Sequence, residues 1–451
     1  MPEKLGRLTG WGRTAPTTAR ILERADRAEL ADVVRAADGR GVIPRGLGRS
    51  YGDASQNAGG LVLDMTAFDQ IHHVDTETGI VTVDAGVSLD KLMRQMLPHG
   101  LWIPVLPGTR QVTIGGAIAA DIHGKNHHVE GSFCNHVLAI ELLTADGEIR
   151  TVTPDGPGSE LFWATAGGMG LTGVVLRATV QLKSVESAYF LVDTERTRDL
   201  DDLMSRLMDN DDQYTYSVAW FDAASTGAKM GRAVLTRGWS AKLDDLPAKL
   251  RNDPLKFNAP QLATVPPVFP SGLLNKLTVS AFNEVWYRKA PKERRGEVQN
   301  ITQFFHPLDI VGEWNRVYGP RGFLQYQYAV PYGAEDTVRK SMEIISSGGA
   351  VSFLNVLKRF GAANGGPLSF PMPGWTLAVD IPITDDLGPL LDKLDQLVLE
   401  AGGRLYLAKD SRLTADAFRS MYPRLAEWQK VRDAVDPRGV FNSDLSRRLM
   451  L

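Results

Sequence analysis

Three glycine-rich loops between residues 45 and 174 constrain the fold of this chain more than any other feature of its sequence. They are RGLGRSYGD (45–53), GTRQVTIGGAIAADIHGKN (108–126) and AGGMGLTGV (166–174). Glycine lets a backbone approach a ligand closely, although it costs conformational entropy on folding. A phosphate bound at one helix N-terminus needs only one such loop. Three loops together predict a long dinucleotide that lies between two subdomains.

The first loop, RGLGRSYGD, has two interpretations. It is either a turn between two strands in which Arg45 and Arg49 are solvated, or an anion-binding nest. In the nest, successive backbone N–H groups and the two guanidinium groups would fit a pyrophosphate. The loop alone does not separate these interpretations.

The third loop contains the pattern G-x-G-x-x-G as GMGLTG (168–173). A dinucleotide-binding Rossmann fingerprint needs a strand before the glycines and a helix after them. Here the order is reversed, because the helical segment SELFWATAG precedes the pattern and the strand-like VVLRATV follows it. The pattern therefore does not indicate a Rossmann NAD site.

Four of the eight histidines lie between His123 and His136, which raises the possibility of a metal site. Histidines four residues apart can present two ligands on one helical face. However, Gly124, Lys125 and Asn126 separate His123 from the next histidine. Lys125 would place a positive charge where the metal ion would sit. This stretch also has no Glu in a catalytic position. We predict loop or ligand-contacting histidines and no metal site.

Composition narrows the class of protein. A chain of 451 residues with 43% hydrophobic and 23% charged residues is typical of a globular protein of two or three domains. The formal net charge of −3 gives no basic footprint for nucleic acid. Cys134 is the single cysteine, so no internal disulfide can form. The sequence has neither a signal-like N-terminal segment nor a run of ~18 apolar residues. We expect a cytoplasmic protein, or one peripheral at the plasma membrane.

Apolar periodicity predicts local structure along the chain. The predicted elements are a helix at 30–37 stopped by Gly39, a helix behind an N-cap at Ser88, strands at 61–65, 80–86, 174–185 and 214–221, a helix at 200–207, an irregular loop at 247–270, and one C-terminal helix that carries Met421, Leu425, Trp428 and Val431.

Together these motifs resemble the FAD-linked oxidase superfamily, which includes vanillyl-alcohol, alditol and aldonolactone oxidases. Within it, the chain is most similar to the family of decaprenylphosphoryl-β-D-ribose 2′-oxidases. The similarity runs nearly end to end, on RGLGRSYGD, LPGTRQVTIGGAIAADIHGKNHH, LLTADGEI, LFWATAGGMGLTG, FHPLD, GEWNR, GFLQYQ, PLSFP and YLAKDSR.

The resemblance implies an α+β, two-domain fold of the vanillyl-alcohol oxidase type. Residues 1–187 and 404–451 would form the FAD-binding domain, and residues 188–403 a substrate-binding domain with an antiparallel sheet. The implied activity is oxidation of the C2′ hydroxyl of a polyprenyl-phosphate ribose to a 2′-keto intermediate. This is the first step of an epimerisation to arabinose for cell-wall arabinan. The implied partners are an NADH-dependent keto-reductase subunit and, peripherally, a membrane.

The resemblance also implies roles for single residues. Lys409 would lie beside the flavin ring, as a cation that stabilises charge, as a base, or as both. The residues expected to bind substrate are Tyr51, Lys125, Trp220, Gln325, Gln327 and Lys358. The residues expected to bind FAD are Arg45, Gly46, Leu47, Gly48, Arg49, Ser50, Tyr51, Gly52, Asp53, Gly108, Thr113, Ile114, Gly115, Gly116, His123, Gly124, Lys125, Asn126, Val175 and Tyr406.

Four departures from the family pattern modify these expectations. Some superfamily members attach FAD covalently through a histidine, where this chain has Arg49, so we expect non-covalent FAD. Close relatives often have Asn and Cys where this chain has Thr376 and Ala378. Hydride transfer needs no thiol, so activity should persist, whereas sensitivity to inhibitors that react with that cysteine is in doubt. Phe305 replaces a common Tyr and removes a hydroxyl near the substrate.

Several alternatives stay open at this level. The apolar segment 265–277 is either a mobile lip at a membrane surface or an ordinary packed connection. Trp220 could be a core residue instead of a substrate contact, and Lys358 could be a solvated surface charge. The chain could also be an oxygen-using sugar, alditol or aldonolactone oxidase on the same fold. A metal-dependent hydrolase using the histidine-rich loop and a flavin-binding protein without activity are the more distant alternatives.

Overall fold

The structure is a computed structural model and describes residues 3–23, 26–37, 39–270, 272, 274–350 and 352–451. Its strands are β1 Glu3–Leu8, β2 Thr17–Leu22, β3 Val42–Arg45, β4 Leu61–Asp64, β5 Ile71–Asp75, β6 Ile80–Asp84, β7 Leu101–Trp102, β8 Val137–Leu143, β9 Ile149–Val152, β10 Val174–Gln181, β11 Lys183–Ser184, β12 Tyr189–Thr197, β13 Tyr216–Phe221, β14 Ala233–Ser240, β15 Ala263–Thr264, β16 Glu293–Asn300, β17 Val311–Gly312, β18 Phe323–Pro331, β19 Asn355–Phe360, β20 Gly374–Pro382 and β21 Arg404–Leu405.

The helices alternate with these strands along the chain. They are α1 Arg27–Ala36, α2 Leu89–Met96, α3 Ile114–Ala119, α4 His127–Glu130, α5 Ser159–Thr165, α6 Leu200–Asn210, α7 Ala248–Arg251, α8 Lys276–Lys289, α9 Ile301–Phe305, α10 Glu335–Ser347, α11 Leu387–Glu400, α12 Ala415–Met421, α13 Leu425–Val435 and α14 Asp444–Leu449. Within the described ranges, no helix is long and apolar enough to cross a membrane.

Two sheets organise the N-terminal part. The first has the order β1-β2-β4-β3, with parallel pairing of β4 to both β2 and β3. The second is antiparallel and has the order β5-β6-β10-β8-β9. The three glycine-rich loops follow β3, surround α3, and join α5 to β10. Each loop is therefore attached to a helix or strand, and that element fixes the position of the loop's glycines.

The middle of the chain forms an eight-stranded antiparallel sheet with the order β16-β12-β14-β13-β19-β20-β18-β21. Helices α6, α10 and α11 pack against it. The predicted α+β fold with an antiparallel sheet is confirmed. Seven of these strands lie within the predicted substrate segment 188–403, and β21 comes from the segment 404–451. The proposed domain boundaries stay a prediction.

Most local predictions are confirmed. Ser88 caps α2 by accepting a hydrogen bond from the backbone N–H of Lys91, and α1 ends at Ala36, before Gly39. Helix α5 precedes GMGLTG and strand β10 follows it. This is the order predicted from the sequence, and it is the reverse of the order in a Rossmann fingerprint. The loop 247–270 is irregular apart from α7 and β15.

The predicted single C-terminal helix is wrong, because the chain forms two helices, α12 and α13, on either side of Pro423. Proline has no N–H to donate and disfavours helical angles at the residue before it. Tyr422 accordingly has a φ of −119° and a ψ of 79°. Met421 therefore ends one helix, and Leu425, Trp428 and Val431 belong to the next.

Candidate active site

A large cavity of about 1470 Å³ lies between the glycine-rich loops and the eight-stranded sheet. Ligand pockets commonly measure about 300–1,000 Å³, so this cavity has room for more than one small ligand. Its lining includes residues from all three loops and side chains from β13, β18, β19 and β20. The cavity is therefore the place where a cofactor and a substrate could meet.

The two arginines of the first loop have different surroundings. The Arg45 guanidinium donates to the carbonyl oxygens of Ser55 at 3.0 Å and Thr9 at 2.8 Å, which ties the loop to its neighbours. The Arg49 guanidinium lies 3.9 Å from the centre of the Trp11 ring, and its Nε is enclosed without a hydrogen-bond partner. Burial lowers the pKa of both groups. Both side chains are half-buried, so neither is a fully solvated charge, and the anion nest stays a prediction.

Glycines pack the first two loops closely against each other. A Cβ on Gly46 would collide with the side chain of Thr113, and Gly48 has a φ of +64° that L-residues rarely adopt. Thr113 in turn caps α3 by accepting from the backbone N–H of Gly116 at 3.2 Å. Gly115 and Gly116 then line the cavity. A wall of backbone, an unpartnered Arg49 Nε and the volume of the cavity together fit FAD.

Most residues predicted to bind FAD line this cavity. Their individual contacts with a flavin stay predictions. The lining residues of this set are Arg45, Gly46, Leu47, Gly48, Arg49, Ser50, Tyr51, Gly108, Thr113, Gly115, Gly116, His123, Gly124, Lys125, Val175 and Tyr406.

Four of the residues predicted to bind FAD do not line the cavity, which corrects their predicted placement. The Asp53 carboxylate pairs with Arg448 at 2.8 Å, and a Cβ on Gly52 would collide with the backbone of Asp410. Ile114 is fully buried in the core, and the Asn126 side chain donates to the carbonyl of Pro104 at 2.7 Å. These residues support the cavity wall from behind.

All the residues predicted to contact substrate line the same cavity as Lys409; they are Tyr51, Lys125, Trp220, Gln325, Gln327 and Lys358. Trp220 is not a core residue, because it is half-buried at the wall and donates from Nε1 to the carbonyl of Phe353 at 2.8 Å. Lys358 is not a solvated surface charge, since its Nζ lies 3.3 Å from His123 Nδ1 and 3.4 Å from the Gly124 carbonyl. The structure thus brings together residues that are far apart in sequence.

Three lysines share this cavity, and each is enclosed by protein on the sides that do not face it. Burial, followed by repulsion from Lys358, lowers the pKa of Lys125 to about 7. Burial alone lowers the pKa of Lys358 to about 8. No ion pair between these lysines or Lys409 and a carboxylate is found in the described part of the chain. The cavity can therefore hold cations and neutral amines side by side near neutral pH.

Lys409 lies on the loop that follows β21, where its backbone N–H donates to the carbonyl of Tyr406 at 2.9 Å. Its Nζ sits 3.7 Å from the centre of the Tyr51 ring, a cation–π distance. Burial lowers the pKa of Lys409, and Lys358 lowers it further, whereas Asp380 raises it. Asp380 is a functional candidate that sequence reasoning missed. A carboxylate in the otherwise apolar strand GWTLAVDIP was the available signal.

The clustered histidines make protein contacts. His123 Nε2 lies 3.0 Å from the Gln327 amide nitrogen, and His127 Nδ1 accepts from the backbone N–H of Gly361 at 3.1 Å. His128 and His136 face the backbone carbonyls of Tyr214 and Glu130. Over the residues that the structure describes, no group of three or more His, Cys, Asp or Glu side chains could hold a metal ion.

The residues that depart from the family pattern also line the cavity. Thr376 Oγ1 accepts from the Gln327 amide at 3.3 Å, and Ala378 lies opposite Gln327 in the pairing of β18 with β20. Phe305 packs among aromatic rings that include Trp102 and Tyr216. These positions therefore lie where they can influence a ligand in the cavity.

The apolar segment 265–277 lies at the edge of the cavity. Phe269 and Leu274 line it, while Val268 is 88% and Leu277 is 79% exposed. Residues 271 and 273 lie outside the described residues, and the last two positions of the predicted loop already belong to α8. Helix α8 adds Phe282 and Trp286 to the lining, both partly exposed to solvent. A fully packed connection is excluded at Val268 and Leu277.

Comparison with known proteins gives matches over the whole chain. Residues 18–153 match the FAD binding domain family, and residues 384–449 match the D-arabinono-1,4-lactone oxidase family. The chain is 58% identical to decaprenylphosphoryl-beta-D-ribose oxidase of Mycolicibacterium smegmatis, over 100% of this chain and 98% of that protein. It is 42% identical to an uncharacterized protein in the mprA 5′ region of Streptomyces coelicolor, over 81% of this chain and all of that one. Identity to L-gulono-1,4-lactone dehydrogenase of Mycobacterium tuberculosis is 22%, over 95% of both chains.

Proposed function

The chain belongs to the family of decaprenylphosphoryl-β-D-ribose oxidases, and from this premise we propose that it oxidises the C2′ hydroxyl of decaprenylphosphoryl-β-D-ribose to the 2′-ketone. It is an FAD-dependent oxidoreductase acting on a CH–OH group. The observation that carries the proposal is that one cavity brings glycine-rich backbone together with Lys409, Gln325 and Gln327. The product would be the first intermediate of an epimerisation to decaprenylphosphoryl-arabinose for cell-wall arabinan.

Oxidation of a secondary alcohol removes a hydride from carbon and a proton from oxygen. Bound FAD supplies the hydride acceptor. The chain itself must orient the sugar, accept the hydroxyl proton and stabilise the negative charge that develops on the acceptor side. Lys409 fits the last task, because an enclosed ammonium stabilises developing charge more strongly than one in water.

The hydroxyl proton needs an acceptor close to neutrality, since general bases work best when their pKa lies near the working pH. Lys125, Lys358 and Lys409 meet this condition, with pKa values lowered to about 7, about 8 and about 7. Gln325 and Gln327 project from alternate positions of β18 into the same space. Their amides would hydrogen-bond the sugar hydroxyls and so hold them within reach of these amines. The cationic forms of the same lysines would attract the substrate phosphate.

We propose that FAD is held without a covalent bond, because Arg49 cannot form the link that a histidine makes in other members of the superfamily. Inversion at C2′ also requires that the ketone be reduced again from the other face. We therefore propose an NADH-dependent keto-reductase as the partner that consumes the product.

Anaerobic mixing with a short-chain polyprenyl phosphoribose tests the proposed function. The absorption band of oxidised flavin should bleach, since the substrate reduces the bound cofactor. Soluble alditols and aldonolactones serve as controls and should leave the band unchanged. Bleaching by these compounds alone, with peroxide released on admitting oxygen, would assign the chain to the sugar, alditol or aldonolactone oxidases. A protein that stays colourless after reconstitution with FAD would overturn the flavoprotein assignment.

We propose further that the protein works in the cytoplasm or peripherally at the plasma membrane, with the edge of the cavity facing the lipid. The lipid tail of the substrate has to leave the cavity, and the segment 265–277 and α8 place apolar side chains at its edge. Val268 and Leu277 point into solvent, at 88% and 79% exposure, where a bilayer could cover them.

The double variant V268D/L277D should therefore bind vesicles of anionic phospholipid at least about tenfold more weakly. Burying an apolar side chain of this size is worth on the order of 2 kcal/mol, and about 1.4 kcal/mol corresponds to tenfold. Co-sedimentation with vesicles measures the effect. The matched control L5D/M450D changes residues that are 77% and 72% exposed elsewhere on the surface. Equal vesicle binding by wild type and V268D/L277D would remove the membrane contact from this segment.

A further inference from the structure

Asp380 is a fully buried carboxylate directly behind the cavity. It lies on β20 opposite Gln325 of β18, and its Oδ1 accepts a hydrogen bond from the Gln325 amide nitrogen at 2.5 Å. The Tyr318 hydroxyl donates to Oδ2 at 3.5 Å, and the backbone N–H of Asp380 donates to the hydroxyl of Ser352 at 3.2 Å. The carboxylate is thus held on two strands that carry active-site side chains.

The contact with Asp380 fixes which way the Gln325 amide points. An ionised carboxylate only accepts hydrogen bonds, so the NH₂ group of Gln325 must face it. The same nitrogen lies 3.5 Å from the Tyr51 hydroxyl. The carbonyl oxygen of Gln325 is then the atom left to meet a ligand, because Gln325 lines the cavity. An acceptor in that position suits a sugar hydroxyl.

A buried carboxylate also needs a compensating cation, since burial of an unpaired charge is costly. Lys409 is the cation whose field acts on Asp380; burial raises the pKa of Asp380, and Lys409 and the hydrogen bonds of Gln325 and Tyr318 oppose the rise. Tyr51 and Tyr318 are neutral neighbours, because burial raises the pKa of each. Lys358, which also lines the cavity, repels Lys409.

The third cavity lysine, Lys125, has no carboxylate among the charges that shift its pKa, and neither does Lys358. His123 feels both Lys358 and Lys409, and burial with these charges lowers its pKa well below the usual value, so it stays neutral. Of the three amines, Lys409 is thus the one provided with a counter-charge. All three amines can lose their protons near neutral pH, and Lys409 is the one whose ammonium form a carboxylate favours.

We propose that Asp380 is a positioning residue of the active site: it turns the carbonyl oxygen of Gln325 toward the substrate and supplies a counter-charge that favours the ammonium form of Lys409. The part that concerns the reaction rests on the proposed function. The electrostatic interaction between Asp380 and Lys409 does not, and it can be measured without substrate.

The variant D380N tests the pairing, because asparagine keeps the size of the side chain and an oxygen for Gln325 but removes the charge. In the wild type, the ammonium form of Lys409 is lost as the pH rises through its pKa. Removing the carboxylate lowers that pKa, so the loss should occur at a pH lower by about one unit or more. The alkaline limb of the rate of anaerobic flavin reduction should move by the same amount.

The absorbance of bound oxidised FAD, titrated with pH in the absence of substrate, provides a second readout. A transition that disappears in K409A belongs to Lys409, and D380N should move it to lower pH. The control D395N also removes a carboxylate that accepts from a tyrosine, Tyr326 at 2.9 Å, but its cation is Arg412, outside the cavity. D395N should leave the transition in place. An unmoved transition in D380N overturns the proposal, even if the substrate assignment is correct.

Should D380N fail to fold with FAD, the variant K409M provides the test. It leaves Asp380 without its cation, so the folded protein favours the protonated carboxyl. Its stability should then fall, relative to wild type, as the pH rises above about 7, the value to which burial raises the pKa of Asp380 in the wild type. Thermal unfolding across neutral and alkaline pH measures this difference. A constant difference between K409M and wild type would contradict the pairing.

Discussion

Replacing Lys409 with alanine should lower the rate of anaerobic flavin reduction by substrate about 10³-fold, while FAD stays bound. A single donor to developing charge is worth about 10²–10³ in rate, and Lys409 is the ammonium in the cavity provided with a counter-charge. Flavin retention is expected because the cofactor cradle is built from the three glycine-rich loops and not from this side chain. Stopped-flow absorbance measures the rate, and the visible spectrum measures the bound flavin.

The matched control is K340A, which removes an exposed lysine from α10, far from the cavity lining. Its rate of flavin reduction should equal that of wild type. The variant K409R keeps a cation in place and should recover part of the lost rate. Full turnover by K409A would show that the charge of Lys409 has no role in the reaction and would withdraw the assignment.

The fold was predictable where the signal is local. The cap at Ser88 and the helix–loop–strand order around GMGLTG depend on a few consecutive residues, and the structure shows them where they were predicted. The single C-terminal helix failed for a reason that is also local. The apolar residues keep helical spacing across Pro423, so their spacing alone predicts one helix. It takes no account of the backbone N–H that proline lacks.

The candidate site was predictable through its motifs, but its electrostatics were not. Lys409 and Gln325 stand in motifs that resemble a known family, whereas Asp380 stands in a strand that reads as apolar core. Its importance appears only when β20 pairs with β18 and places the carboxylate opposite Gln325. Strand register of this kind depends on long-range packing, which a single sequence does not encode in any short pattern.

The same limit applies to the residues that were placed on the cavity wall and lie behind it. RGLGRSYGD looks like one continuous phosphate loop, but Gly52 and Asp53 turn away from the cavity to meet the chain near its C-terminus. Membership of the loop therefore predicted that these residues lie near the cavity. It could not predict which way each one faces, because that depends on a partner hundreds of residues away in the sequence.

Arg448 is the partner that joins these distant segments. Its guanidinium donates to both oxygens of Asp53 at 2.8 and 2.9 Å, to Asp410 at 2.8 Å and to the carbonyl of Leu413 at 2.7 Å. Asp53 ends the first glycine-rich loop, and Asp410 is the residue next to Lys409. One side chain near the C-terminus thus fixes a cofactor loop to the loop that carries the proposed catalytic lysine.

The variant R448M should lower the free energy of unfolding by about 3–5 kcal/mol, because it leaves Asp53 and the buried Asp410 without their cation. FAD should also dissociate more readily, since the two loops lose their common anchor. Thermal unfolding and the fluorescence of released flavin measure the two effects. The control R321M breaks a solvent-exposed pair with Asp385, which contributes little to stability, and should change neither. Equal unfolding temperatures for R448M and R321M would show that the buried cluster does not hold the loops together.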